Sequence, residues 1–158
     1  MNKIVCVDVD GTLISKDKNP RPYFHLVLDF CVTYGAELVV WSLNGEAYVE
    51  KIVGELFPQI IGKAKFHGKE DHVLFTPTYV IDDDESMVRK YGGFCVPYYQ
   101  PNLHNQFQCI MLTGRVIEGI LNHIRGKKPQ NKLIEPNKEQ SEDDRPDGDP
   151  GAIWGMNV

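Results

Sequence analysis

Ile4-Val5-Cys6-Val7-Asp8-Val9-Asp10-Gly11-Thr12 decides how this chain folds. The run from Ile4 to Val7 is apolar and mostly β-branched, lies between Lys3 and Asp8, and predicts a buried parallel strand. It stops at a carboxylate, a second follows two residues on, and Gly11 then permits a sharp turn. Acids at the carboxyl end of a buried strand stand where open α/β sheets bind ligands. Side chains alternate along an extended segment, so Asp8 and Asp10 are expected to face the same way across Val9. Carboxylates this close repel unless a cation lies between them, and oxygen ligands of this kind suit Mg²⁺. A solvated turn explains the Asp-Gly pair equally well at this point.

The chain continues in alternation. Residues 14–21 are polar and turn-rich and predict a loop. Pro22 opens an apolar helix through about Tyr34, with Gly35 as its cap. Glu37-Leu-Val-Val-Trp41 is a second buried strand ending at Ser42, followed by Leu43-Asn44-Gly45. Tyr48, Val49, Ile52, Val53, Leu56 and Phe57 have helical spacing within 46–57. A short third strand is expected within Ile60 to Phe66, then a turn through His67-Gly68-Lys69 and one helical turn over 70–75. Thr78-Tyr-Val-Ile81 predicts a fourth strand running into Asp82-Asp83-Asp84-Glu85. A helix through Tyr91, a Gly92-Gly93 turn, a strand at Phe94 to Val96 and a closing helix from Thr113 to Arg125 complete the body.

Strands alternating with helices imply an α/β fold, a Rossmann-like three-layer sandwich with a central parallel sheet. Parallel strands place all their carboxyl ends on one edge, which gathers Asp8, Ser42, a lysine-bearing turn and Asp82. In that order they resemble the motifs of the haloacid-dehalogenase-like (HAD) phosphohydrolases: Asp8-Val9-Asp10-Gly11-Thr12 as DxDGT, Ser42 after Val39-Val40-Trp41, a lysine, then Ile81-Asp82-Asp83. The resemblance covers about residues 1–100 and is to the small members without a cap domain.

It implies a Mg²⁺-dependent phosphomonoester hydrolase working through an aspartyl-phosphate. Asp8 is the expected nucleophile and Asp10 the general acid, then base. The metal is expected on Asp8, the backbone carbonyl of Asp10 and Asp82, with Asp83 as an outer ligand or a solvated acid. Ser42, Lys69, Thr12 and Asn44 are the phosphate-binding candidates, although Thr12 is expected to tie down the turn and Asn44 suits a turn as well. Lys63 and Lys65 compete with Lys69 for the lysine position. Asp84 and Glu85 suit a helix start, and Trp41 suits the core. The five histidines show no metal-ligand spacing.

Composition narrows the setting. The net charge of −5 lies in residues 133–158, where seven acids face Lys138 and Arg145, so the body is neutral overall and lacks a broad nucleic-acid surface. Residues 1–126 are read as one phosphatase domain, and 127–158 as an acidic, mostly irregular tail with an apolar end at Ala152-Ile-Trp-Gly-Met-Asn-Val158. Cys6, Cys31, Cys95 and Cys109 are widely spaced and read as reduced thiols. With no signal peptide or apolar run of about 20 residues in view, a cytoplasmic protein without membrane contact is expected.

No segment between the motifs is long enough for an inserted domain, so the site is expected to be open unless a neighbouring subunit of a homo-oligomer, or the tail, covers it. The preferred substrate is a small phosphomonoester such as a nucleotide or sugar phosphate. A nucleic-acid end or a phosphoprotein is the alternative, as is a non-catalytic protein of the same fold. A two-component receiver domain fits less well, because its reactive aspartate ends the third strand.

Overall fold

The structure, a computed structural model, describes residues 2–70, 75–127 and 131–132. Strand β1 spans Ile4–Asp8, helix α1 His25–Thr33, β2 Glu37–Ser42, α2 Glu46–Leu56 and β3 Lys65–Gly68. Then come β4 at Tyr79–Asp82, α3 at Glu85–Tyr91, β5 at Gly93–Cys95, α4 at Gln106–Ile124 and β6 at Asn131–Lys132. The strands form one sheet in the order β3-β2-β1-β4-β5-β6, and every pairing is parallel. The expected Rossmann-like architecture is therefore present.

Period-two alternation divides the core between the two faces. Val5, Val7, Leu38, Val40 and Ile81 pack with α1, α2 and α4, whereas Cys6, Val39, Trp41 and Val80 pack with Val88 of α3. Strands apolar on both faces are what a helix-covered parallel sheet requires. Trp41 is fully buried, as expected of a core residue. Only α2 and a 3-10 turn at Pro58–Ile60 lie between β2 and β3, so no inserted domain stands between them. No helix among the described residues is long and apolar enough to cross a membrane.

Several boundaries differ from the sequence reading. The third strand begins at Lys65, inside the expected Ile60-to-Phe66 stretch, because Lys63 and Ala64 donate their N–H groups to the Ile60 carbonyl and hold the earlier part in turns. It runs on through His67 and Gly68, where a turn was expected, because those residues pair with Trp41 and Ser42. Helix α1 starts at His25 rather than Pro22, since Tyr23 has φ 71°, outside the helical region. The closing helix starts at Gln106, seven residues before Thr113. Its start is a capping box: Asn105 accepts from Gln108 N–H and Gln108 accepts from Asn105 N–H, both at 2.8 Å.

Gly93 opens β5 instead of belonging to a turn. Its φ is 151°, and a Cβ there would stand 1.9 Å from the Val80 carbonyl oxygen, so only glycine lets β5 lie against β4. Asn131 and Lys132, in the stretch read as tail, pair with Gly93 and Phe94. The rest of the tail beyond residue 132, and most of the turn expected over 70–75, lie outside the described residues.

Candidate active site

The first motif turns at once. Val9 accepts the N–H groups of Thr12, Leu13 and Ile14, and Gly11 donates back to Ile14. The strand therefore ends at Asp8, and the extended geometry that was to aim Asp8 and Asp10 in one direction does not continue. The two acids take different partners.

Asp8 faces β4. Thr12 Oγ1 donates to Asp8 Oδ2 at 3.0 Å and to Asp83 Oδ1 at 3.3 Å. Its expected role in tying down the turn is thus visible, and that hydroxyl is engaged by two acids. Lys69 Nζ stands 2.9 Å from Asp8 Oδ1 and 3.0 Å from Asp82 Oδ2. Of the three candidate lysines, Lys69 alone enters the site: Lys65 pairs with Glu37 on the surface and Lys63 is exposed. Asp82 is fully buried and accepts the Asp84 N–H at 2.9 Å. Asp84 caps α3 through Ser86 N–H, as expected of an acid at a helix start.

Burial pushes the Asp8 carboxyl well above the usual carboxylate range, and the charge of Asp82 adds to it while Lys69 opposes both. Asp82 is raised by burial as well, against Lys69 and the Asp84 N–H. For Lys69, burial would lower the ammonium, but Asp8 and Asp82 outweigh it and hold its pKa up at about 12.

Oxygens of Asp8, Asp82 and Asp83 all lie within 4.8 Å of one another. Asp8 and Asp82 share Lys69 at a largely buried spot with Asp83 beside them, so three acidic side chains meet one paired lysine among the described residues. A hard divalent cation fits that donor set of clustered carboxylate oxygens, so these three residues could hold a metal ion. Asp10's carboxylate lies outside this group, which leaves its expected ligand role to its backbone carbonyl.

Asp10 faces β2 and α2. Ser42 Oγ donates to Asp10 Oδ2 at 3.0 Å, Asn44 Nδ2 to the same oxygen at 3.2 Å, and Tyr48 Oη to Oδ1 at 2.5 Å. Asn44 N–H in turn donates to Ser42 Oγ at 3.0 Å, which orients that hydroxyl. Ser42 and Asn44, read as phosphate-binding, therefore converge on Asp10.

Tyr48 escaped the sequence reading because its helical spacing matches a core position, yet its hydroxyl meets a residue 38 positions away. Burial and the hydrogen bond to Asp10 both raise its phenol above the ordinary tyrosine value. Arg21 was read as part of a polar loop but is 2% exposed. Its guanidinium donates to the carbonyls of Gly11, at 2.9 Å, and Pro97, and lies over the rings of Phe24 and Tyr99. Burial lowers its pKa to about 10. Nothing in the local sequence distinguishes Arg21 from Lys16 or Lys18, because one of its carbonyl partners, Pro97, comes from beyond β5.

No protein-family model and no curated protein matches this chain.

Proposed function

We propose that the protein is a Mg²⁺-dependent phosphomonoester hydrolase of the HAD-like type, acting on a small phosphomonoester through a phosphorylated Asp8. The observation that carries this reading is the separation of the two acids of the first motif. Asp8 is tied to Lys69 beside Asp82 and Asp83, whereas Asp10 is held by three hydroxyl and amide donors on the other side. A nucleophile needs neighbouring positive charge to approach a phosphate, and a proton-transferring group needs fixed orientation.

Asp8 attacks phosphorus in line, and the bond to the leaving oxygen breaks as protonated Asp10 supplies its proton. Water then attacks the aspartyl-phosphate and gives a proton to Asp10, which releases inorganic phosphate and restores Asp8. Lys69 offsets charge on Asp8 and on the incoming phosphoryl group, and Thr12 fixes the Asp8 carboxylate. A metal ion held by Asp8, Asp82 and Asp83 would supply further electrostatic stabilisation of the phosphoryl oxygens.

Two comparisons test the reading. Asp8→Asn should abolish Mg²⁺-dependent hydrolysis of p-nitrophenyl phosphate while leaving the circular dichroism spectrum unchanged, and substantial retained turnover would sink the covalent mechanism. Asp10→Asn should lower turnover by about 10²–10⁴-fold. The neutral body favours small substrates, so a nucleoside monophosphate should be hydrolysed at least as efficiently as a phosphorylated oligonucleotide with the same terminal base. A large, salt-sensitive preference for the oligonucleotide would move the assignment to nucleic-acid ends.

A further inference from the structure

The loop after β5 is fastened to the first motif by one direct hydrogen bond and one arginine bridge. Tyr99 N–H donates to the Gly11 carbonyl at 2.9 Å, and Arg21 donates to both Gly11 and Pro97 carbonyls. Tyr98 lies between these anchors. Its ring packs so closely on Gly11 that a Cβ there would stand 2.4 Å from a ring carbon, and φ at Gly11 is 84°, so this position requires glycine on both counts. Yet Tyr98 remains 41% exposed. A buried arginine and two backbone carbonyls thus hold the backbone on either side of Tyr98, whose ring lies against Gly11, one residue beyond Asp10, and is open to solvent.

The other side of the site is also apolar at its rim. β2 and β5 end on opposite sides of β1 in the strand order. The β2 end carries Leu43, 72% exposed, between Ser42 and Asn44, whose side chains both hold Asp10. The mouth of the site, taken as the sheet edge between these two strand ends, therefore carries an exposed leucine on one side and an exposed tyrosine on the other. Sugar hydroxyls call for hydrogen-bonding groups, and those nearest here, Ser42, Asn44 and Tyr48, are engaged by Asp10, whereas a flat apolar ring suits the aromatic and aliphatic side chains beside them.

We propose that this mouth selects phosphomonoesters whose leaving group carries an aromatic ring close to the phosphate, with Tyr98 as the specificity-determining platform on which the ring stacks. The proposal rests on the phosphatase reading for turnover, but ring recognition can be measured without it. Phosphate enters over Asp8, the ester oxygen faces Asp10, and the ring attached to it lies against Tyr98 with Leu43 on the far side.

Benzyl phosphate and cyclohexylmethyl phosphate separate ring recognition from leaving-group chemistry, because both release a primary alcohol of similar size and only one ring is flat. The wild-type protein should favour benzyl phosphate in kcat/KM by roughly three- to tenfold, the scale of one aromatic contact. Tyr98→Phe should keep the preference, and Tyr98→Ala should bring the ratio to about one. The non-hydrolysable benzylphosphonate and cyclohexylmethylphosphonate, titrated with Mg²⁺ present, should show the same ratio and the same loss. A wild-type ratio near one in both assays, or a preference that survives Tyr98→Ala, overturns the platform. Phosphonate discrimination that depends on Tyr98 without turnover of any phosphate would keep the platform and reject the hydrolase reading.

Discussion

Lys69 Nζ lies 2.9 Å from Asp8 Oδ1, with both side chains nearly withdrawn from solvent. Lys69 follows β3, and β2 stands between β3 and β1, so the lysine reaches past a whole strand to meet the acid. It meets Asp82 on β4 as well. The ion pair thus joins three strand ends, and its loss should be felt by the fold and by the chemistry together.

Lys69→Met should strand two buried carboxylates. Unfolding free energy should fall by about 3 kcal/mol at neutral pH, the usual cost of removing one partner from a buried pair. Adding Asp8→Asn should recover part of that loss, because one of the abandoned charges is then gone. A urea double-mutant cycle measures the coupling, and strict additivity would show that the contact carries no energy.

Asp8→Asn alone should stabilise the metal-free protein. The folded pKa of Asp8 is raised above its unfolded value by burial and by Asp82. Between those two values the folded state binds the extra proton, so stability falls as pH rises through this window, and the loss persists above it. Removing the charge should raise Tm by about 2–4 °C at pH 7, equivalent to about 1 kcal/mol. Scanning calorimetry in EDTA checks the sign.

Mg²⁺ should reverse that ordering. At 100 times its dissociation constant a cation bound only by the folded state adds about 2.7 kcal/mol, so wild-type Tm should climb with Mg²⁺ concentration. Asp82→Asn should blunt the climb, and Ca²⁺ should support little turnover because its longer bonds misplace the phosphoryl group. A Tm indifferent to Mg²⁺ up to millimolar levels would exclude Asp8, Asp82 and Asp83 as a cation site.

Tyr48→Phe removes the 2.5 Å hydrogen bond to Asp10 but keeps the ring. Turnover should fall by about tenfold with little change in KM, since the lost interaction orients the proton-transferring group rather than the substrate. An effect confined to KM would place Tyr48 on the substrate instead.

His123 gives the fold a separate acid sensitivity. Its Nε2 lies 2.8 Å from Thr78 Oγ1 and its ring stacks on Tyr79. Burial, with Lys3 assisting, lowers its pKa below the ordinary histidine value. The unfolded chain binds this proton more readily, so the contribution is complete above about pH 6.5 and is lost as pH falls towards the folded value. His123→Gln should flatten that part of the acid limb in Tm measured against pH.

Strand β1, its terminal acids, the parallel sheet and the absence of an inserted domain between β2 and β3 were legible in the sequence, because short-range patterns encode them. Apolar runs mark buried strands, and alternation with helices forces all strand ends to one edge. The same logic selected Lys69 over Lys63 and Lys65 by its place just past a strand. The capping box of Asn105 and Gln108 is an equally local signal. What only the tertiary structure decided are contacts between distant residues. Tyr48 and Arg21 look like a core position and a loop charge until α2 and the end of β5 come to rest against the first motif. The division of Asp8 and Asp10 between two sets of partners came from the same source: strand periodicity stops where the backbone turns at Val9, and beyond that point direction is set by which neighbours supply hydrogen bonds.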